Sequence, residues 1–307
     1  MIYPKFLEKN DKIGITALSS GCSDCHDEIN NAINYYKKDY DVIVTDNVYG
    51  NYIVSSDADT RIKEFNDLLD KNVSLINIAR AGEFMYETLH GLDFEKIKKK
   101  PLWFMGYSDI THLLYILTTK YDIATIYGFN AKTFGDLPLL PYQTNCQEIL
   151  KGNLLKQTNF RDVNYSLSGD FESNGIIIGG CLEVIKNIIG TKYDNTKNFI
   201  EKYKDQRIIW YFDIYNSPAH ETYVTLLQFR DSDYFKYTDT ILVSKVLFPD
   251  EELMTYKETF KRVFPDKNVI MECDIGHIKP VLTIINGSYV NIKFRNKKLE
   301  MTTDLLI

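Results

Sequence analysis

Between residues 12 and 127 the chain alternates short apolar runs with longer stretches of helical periodicity. Lys12-Ile13-Gly14-Ile15-Thr16-Ala17-Leu18 reads as a strand that stops at Ser19-Ser20-Gly21, and Asp24 to Lys38 then places Ile29, Ile33 and Tyr36 on one helical face. Asp41 to Thr45 is the next strand, followed by a helix that Ser56 or Asp57 can cap and that carries Ile62, Phe65, Leu68 and Leu69. Val73 to Ile78 is a buried strand that turns at Arg80-Ala81-Gly82-Glu83, and Met85 to Leu89 starts another helix. Leu102 to Met105, Thr111 to Thr118 and Tyr121 to Tyr127 complete the series as strand, helix and strand. Regular alternation of this kind predicts an α/β fold, a doubly wound parallel sheet of flavodoxin-like type with ligands at the carboxyl ends of its strands.

The pattern changes after about residue 132. Residues 136–170 are rich in Pro, Gln, Asn and Ser, with one helical piece near Cys146 to Leu150, and read as a crossover linker. Beyond it, strand-like runs occur at Ile176-Ile178, Ile208-Phe212, Thr240-Val246, Val269-Met271, Leu282-Ile285 and Val290-Phe294. Helices are expected at Leu182-Ile189, around Thr222-Phe229 and at Glu251-Val263. The expected organisation is an N-terminal domain over 1–135, a linker over 136–170 and a smaller C-terminal α/β domain over 171–307, with no internal repeat.

Composition narrows the partners. The 307 residues are 44% hydrophobic with 17 Phe and 22 Tyr, enough for a large core, and the net charge is −6. Apart from Lys98-Lys99-Lys100, read as a solvated helix end, there is no basic block, which disfavours nucleic acid. The N-terminus lacks the pattern of a secretory leader and no apolar run is long enough for a membrane helix, so the expectation is a cytoplasmic protein with no membrane partner. The five cysteines are scattered and suit a reducing interior. Cys22-Ser23-Asp24-Cys25-His26 matches a haem-attachment signature, but with no export signal and no second ligand pair it reads as a polar loop, and neither cofactor nor metal is expected.

Four loops carry candidate chemistry. In Trp103-Phe104-Met105-Gly106-Tyr107-Ser108-Asp109-Ile110-Thr111 an apolar strand stops at a glycine, presents a serine and enters a helix. This is how several unrelated hydrolases expose a nucleophile above helix-opening amides, although Ile110 replaces the last glycine of the usual elbow. Arg80-Ala81-Gly82-Glu83-Phe84 lets backbone approach a ligand, Ile208 to Asp213 is a buried strand ending in a carboxylate, and Asp274-Ile275-Gly276-His277-Ile278-Lys279-Pro280 holds a histidine in a glycine-opened loop. Serine, acid and histidine in that order suit nucleophile, orienter and base. Each residue also has a plainer reading. Ser108 can cap the following helix, His277 can bond a turn carbonyl, and Asp213 can end a strand with Glu221 as the acid instead. His112 points along the helix after Ser108 and suits packing better than proton transfer, and Trp103 and Trp210 suit a core.

The same residues resemble the serine peptidases of the LD-carboxypeptidase type, which include the microcin-immunity hydrolases, over almost the whole chain. The resemblance is carried by Leu7 to Ile15, Asp59 with Arg61, Arg80-Ala81-Gly82, Gly106 to Thr111, Gly179-Gly180-Cys181-Leu182, and Asp274-Ile275-Gly276-His277 with Pro280 and Asn286-Gly287. It implies a catalytic Ser108, a general base His277 and an orienting acid at Asp213, where the family usually has glutamate. It further implies an oxyanion hole from the backbone N–H groups of Gly82 and Asp109, with Ala81 in place of a first glycine. Ser244-Lys245-Val246-Leu247 departs from a Gly-Arg often found there. The implied reaction is removal of the terminal D-alanine from a murein tetrapeptide through an acyl-enzyme. The alternatives are a microcin-immunity-type hydrolase of peptidyl or aminoacyl nucleotides, and a binding homologue without turnover. A small peptide or peptidyl-nucleotide substrate and a homodimer are implied, with no cofactor.

Overall fold

The computed structural model describes residues 1–305 apart from 163 and 250–252, and it divides into two compact units of similar length. The first holds Met1–Leu117 and Tyr121–Leu154; the second holds Thr118–Lys120 and the chain from Leu155 onward.

In the first unit β1 (Lys12–Thr16), β2 (Asp41–Val44), β3 (Leu75–Ile78), β4 (Trp103–Gly106) and β5 (Thr125–Tyr127) pair in parallel in the order β5–β4–β3–β1–β2. This is the doubly wound arrangement the alternation predicts. Every residue of β3 and β4 is buried, which is why both read as unbroken apolar runs: helices cover both faces of a parallel sheet. The helices are α1 (His26–Tyr36), α2 (Ala58–Leu69), α3 (Phe94–Lys99), α4 (Thr111–Tyr121) and α5 (Pro141–Leu150). Asp57 caps α2, accepting from the Thr60 amide at 2.9 Å. The strand order reverses between β1 and β3, so the loops leaving these two strands, 17–21 and 79–84, diverge at the topological switch point where such sheets take ligands.

Two local expectations need correction, and a third gains detail. Met85–Gly91 forms a 3-10 run rather than an α-helix, because the Thr88 hydroxyl bonds the Met85 carbonyl at 2.7 Å and the segment stops at Gly91 before an α-helical ladder can grow. The helix expected near Cys146 starts earlier, at Pro141, where a first-turn proline needs no amide donor. Cys22 to Cys25 form a loop in which Ser23 and Asp24 are exposed while the cysteines face inward. Both thiols are buried and Cys25 precedes α1, because the loop after β1 folds down against Val48 and Gly50, with Cys22 N–H bonded to Val48 O at 2.8 Å.

Residues 136–170 are shared between the units: α5 belongs to the first, and β6 (Lys156–Thr158) and β7 (Tyr165–Ser166) to the sheet of the second. That sheet centres on parallel β8 (Phe171–Cys181), β9 (Ile208–Asp213), β10 (Thr238–Ser244) and β11 (Asn268–Cys273). After β12 (Ile284–Asn286), strands β13 (Tyr289–Arg295) and β14 (Lys298–Asp304) complete an eight-stranded order β6–β14–β13–β8–β9–β10–β11–β7, antiparallel at both edges. The connecting helices are α6 (Leu182–Lys186), α7 (Thr196–Lys202), α8 (Ala219–Asp231) and α9 (Tyr256–Val263). The helix expected from Glu251 begins at Tyr256 behind a Thr255–Glu258 capping box; residues 251 and 252 lie outside the described residues. Trp103 and Trp210 are both fully buried, the latter stacked on Phe212 and Tyr234, so both serve the core.

Candidate active site

Ser108 stands just after β4 with φ of 66°, a left-handed conformation that a residue with a Cβ adopts only at a cost. A 3-10 turn over Ser108–Ile110 leads into α4, and neither that turn nor α4 has a side-chain hydrogen bond at its N-cap. Ser108 is thus the first residue of the turn, and the N-cap positions fall at Tyr107 and Ile110. The strain is held from below. Asn130 Oδ1 accepts from the Tyr107 amide at 3.2 Å, and the Ser108 amide donates to the Tyr127 hydroxyl at 3.3 Å. A Cβ on Gly106 would lie 2.8 Å from Asn130 Oδ1 and 3.0 Å from Ile110, so a glycine lets the turn pack this closely.

The neighbouring side chain, Asp109, points inward and is 3% exposed. Its Oδ2 accepts from the Ser19 hydroxyl at 2.6 Å and from the Met85 amide at 3.4 Å, and Ser19 Oγ accepts in turn from the Phe84 amide at 3.0 Å. The loops after β1, β3 and β4 are thereby tied at the switch point. Burial pushes the Asp109 carboxyl up to about 7 against the Ser19, Gly82 and Met85 hydrogen-bond donors that favour its charged form. His112 bonds the Asp109 carbonyl through Nδ1 at 2.9 Å, and burial pushes it down to about 4, so this ring is neutral and structural. The role of Arg61 is invisible in the sequence. It is fully buried in α2, donates to Leu18 O at 2.9 Å and Phe84 O at 3.1 Å, and pairs with Glu87, so it braces the Gly82 loop from the other side.

In the second unit the structure brings Asp213 and His277 together. Asp213 ends β9 fully buried, and its Oδ2 lies 2.9 Å from His277 Nδ1. The His277 amide also approaches Asp213 Oδ1, at 3.4 Å. Gly276 makes this contact possible: its φ is 81° and a Cβ there would collide with the Asp213 carboxylate. The loop can thus press its backbone against the acid. Glu221 is exposed on α8.

Two supports of the histidine escape sequence reading. The Tyr215 ring stacks on the His277 imidazole, with centroids 4.0 Å apart and planes 20° apart. Glu183 Oε1 fixes that loop by accepting from the Tyr215 and Asn216 amides at 3.0 and 2.8 Å. From the other side, Lys245 and Asp274 form a buried ion pair at 2.7 Å. Lys245 also donates to Pro280 O at 2.8 Å, and Asp274 accepts from the Phe160 amide at 2.6 Å. Burial lowers the Lys245 pKa despite the Asp274 charge. A strand-end aromatic and a lysine after a strand carry no sequence signal of such roles. His26, His90 and His220 are exposed. Among the described residues no group of three or more His, Cys, Asp or Glu could hold a metal ion, and no helix is long and apolar enough to cross a membrane.

The chain resembles known proteins along most of its length. It matches the model of the LD-carboxypeptidase N-terminal domain over residues 13–128 and that of the LD-carboxypeptidase C-terminal domain over residues 174–292. A Vibrio cholerae protein named "Putative carboxypeptidase" is 26% identical over a 221-residue alignment that covers 63% of this chain and 66% of that protein; the chain thus matches just under two thirds of that relative's length. Among solved structures, the wild-type microcin C7 self-immunity protein MccF superimposes with a TM-score of 0.82 at 18% identity, covering 100% of both chains. Another structure of MccF holds aspartyl sulfamoyl adenosine. The muramoyltetrapeptide carboxypeptidase of Oxalobacter formigenes has a TM-score of 0.78 at 17% identity, covering 96% of this chain and 99% of its own. With both halves of the fold matched in order, and the expected loops found at the ends of β3, β4 and β9 and after β11, this chain belongs to the LD-carboxypeptidase family.

Proposed function

We propose that this protein is a serine carboxypeptidase that cleaves an L,D-peptide bond, taking a murein tetrapeptide to the tripeptide and D-alanine. Ser108 Oγ attacks the carbonyl carbon while His277 takes its proton, and Asp213 holds the imidazole in the tautomer whose Nε2 can accept. Collapse of the tetrahedral intermediate expels the amine, which takes the proton from His277, and leaves an acyl-Ser108 ester. Water, deprotonated by the same histidine, then releases the acid. The amides of Gly82 and Asp109 serve as oxyanion donors.

The observation that carries this reading is the buried Asp213 carboxylate at 2.9 Å from His277 Nδ1, since a dry acid set beside a partly exposed imidazole is placed to orient a base. The strained Ser108 turn supports it from the other unit. Ser108→Ala should remain folded and lose D-alanine release by about 10³-fold or more. Release at the wild-type rate would refute the assignment.

A second reading, hydrolysis of a peptidyl or aminoacyl nucleotide, is favoured by the likeness to MccF and by the aminoacyl-nucleotide analogue that protein binds. A murein tetrapeptide and aspartyl sulfamoyl adenosine assayed side by side, with kcat/KM for each, separate the two. The working place we assign is the cytoplasm, which suits five buried free cysteines, and the working form a homodimer, which sedimentation would test.

A further inference from the structure

The mechanism above uses the backbone of Asp109 and leaves its carboxyl idle. Yet this group sits at the junction of three loops, and its surroundings are built. Oδ2 takes the Ser19 hydroxyl and the Met85 amide, whereas Oδ1 is buried with no hydrogen-bond partner among the described residues. An ionised carboxylate with one bare oxygen in a dry site is far costlier than a neutral acid in the same place. Gly82 is seated directly on this junction, because a Cβ at that position would strike the hydroxyls of Ser19 and Ser20.

We propose that the Asp109 carboxyl, acting through Ser19, is a positioning residue for the loop that supplies the Gly82 amide, and that it does this best when it carries a proton. The inference rests on the serine-hydrolase reading of the site. When neutral, the acid ties Ser19 and, through it, the Phe84 amide, and attracts the Gly82 N–H less than a charged carboxylate does. Once ionised, it draws that amide toward itself and sets a negative charge beside the place where an oxyanion must form, weakening the donor. Burial puts its proton loss at about 7, so the switch falls in the working range. The groups that face it are Ser19, the amides of Gly82 and Met85, and the Glu83 carboxylate, whose charge also favours the neutral form. His112 on α4 touches its carbonyl but stays uncharged above about 4.

The test is the pH dependence of acylation. Ser108 labelling by a fluorophosphonate, and kcat and KM on the murein tetrapeptide, are measured from pH 5.5 to 9 in wild type, Asp109→Asn, Asp109→Ala and Ser19→Ala. Asp109→Asn mimics the neutral acid. Its kcat relative to wild type should be about 5–10-fold higher at pH 8.5 than at pH 6, with KM following no such trend, as expected when only the transition state gains a donor. Asp109→Ala and Ser19→Ala should lower kcat about 10-fold or more at every pH, through loss of the tether. An Asn variant with the wild-type pH profile overturns the proposal even if Ser108 is labelled normally. If Asp109→Ala misfolds, Ser19→Ala decides, and an unchanged kcat there also overturns it. Wild-type protein inert to both probe and peptide would refute the serine-hydrolase reading itself, and this inference with it.

Discussion

The turn at Ser108 and the loop at His277 present their functional side chains by opposite means. At Ser108 a residue with a Cβ is forced into a left-handed backbone and held there by Asn130, Tyr127 and the buried Asp109–Ser19 pair. At His277 the strained position is given to Gly276, which adopts φ of 81° without steric cost and lets an acid lie against the backbone. The first region stores strain at the reactive group; the second avoids strain in order to bring two side chains together. Substitution should therefore damage the two regions in different ways.

The largest effect is expected at Gly276. Gly276→Ala would push the loop off Asp213, and activity should fall about 10³–10⁴-fold, the scale seen when a triad histidine loses its orienting acid. A circular-dichroism melt alongside the assay separates this loss from unfolding. Activity within 10-fold of wild type would show that the Asp213–His277 contact is dispensable.

Next in size is a pH effect on stability. The folded Asp109 pKa, raised to about 7, exceeds the value of about 4 for an unfolded aspartate. The folded chain therefore holds a proton that the unfolded chain has already lost, and stability falls as pH rises between the two values. Between pH 5 and 7 the loss should be about 2–3 kcal/mol, complete once the folded group has ionised. Asp109→Asn should remove this slope, as urea titrations at pH 5, 6, 7 and 8 would read directly.

A smaller gain in stability is expected at Ser108. Ser108→Gly should abolish hydrolysis while raising stability by about 1 kcal/mol, through relief of the left-handed backbone. A variant less stable than wild type would mean that the turn is not strained. Last comes Tyr215→Ala, which removes the ring stacked on His277. It should lower kcat about 3–10-fold, with Tyr215→Phe restoring it. A Phe variant as impaired as Ala would point to the hydroxyl rather than the stack.

The comparison also shows which features a reader of the chain could find. Strands such as Leu75–Ile78 and Trp103–Gly106 were legible because a parallel sheet buried on both faces needs continuous apolar runs. Ser108, Asp213 and His277 were singled out because each follows or ends such a run. The carboxyl ends of strands are where chemistry collects in this kind of fold. Arg61, with Asp59, is part of the family resemblance, but nothing in its neighbours announces a buried guanidinium bracing a loop more than twenty residues away. Lys245 and Tyr215 escaped for the same reason: their partners Asp274 and His277 are distant in sequence. The 3-10 run at Met85–Gly91 eluded periodicity because one turn of apolar spacing fits both helix types.

Local patterning thus accounts for most element types, the parallel character of the first sheet and the residues with reactive groups, since periodicity and turn chemistry act over a few positions. Three-dimensional packing settled what surrounds those groups: a carboxyl kept dry enough to titrate near neutrality, a glycine placed where an acid needs room, a serine pressed into an unfavourable backbone. Burial and close approach are properties of residues far apart along the chain, and no short window of amino acids contains them.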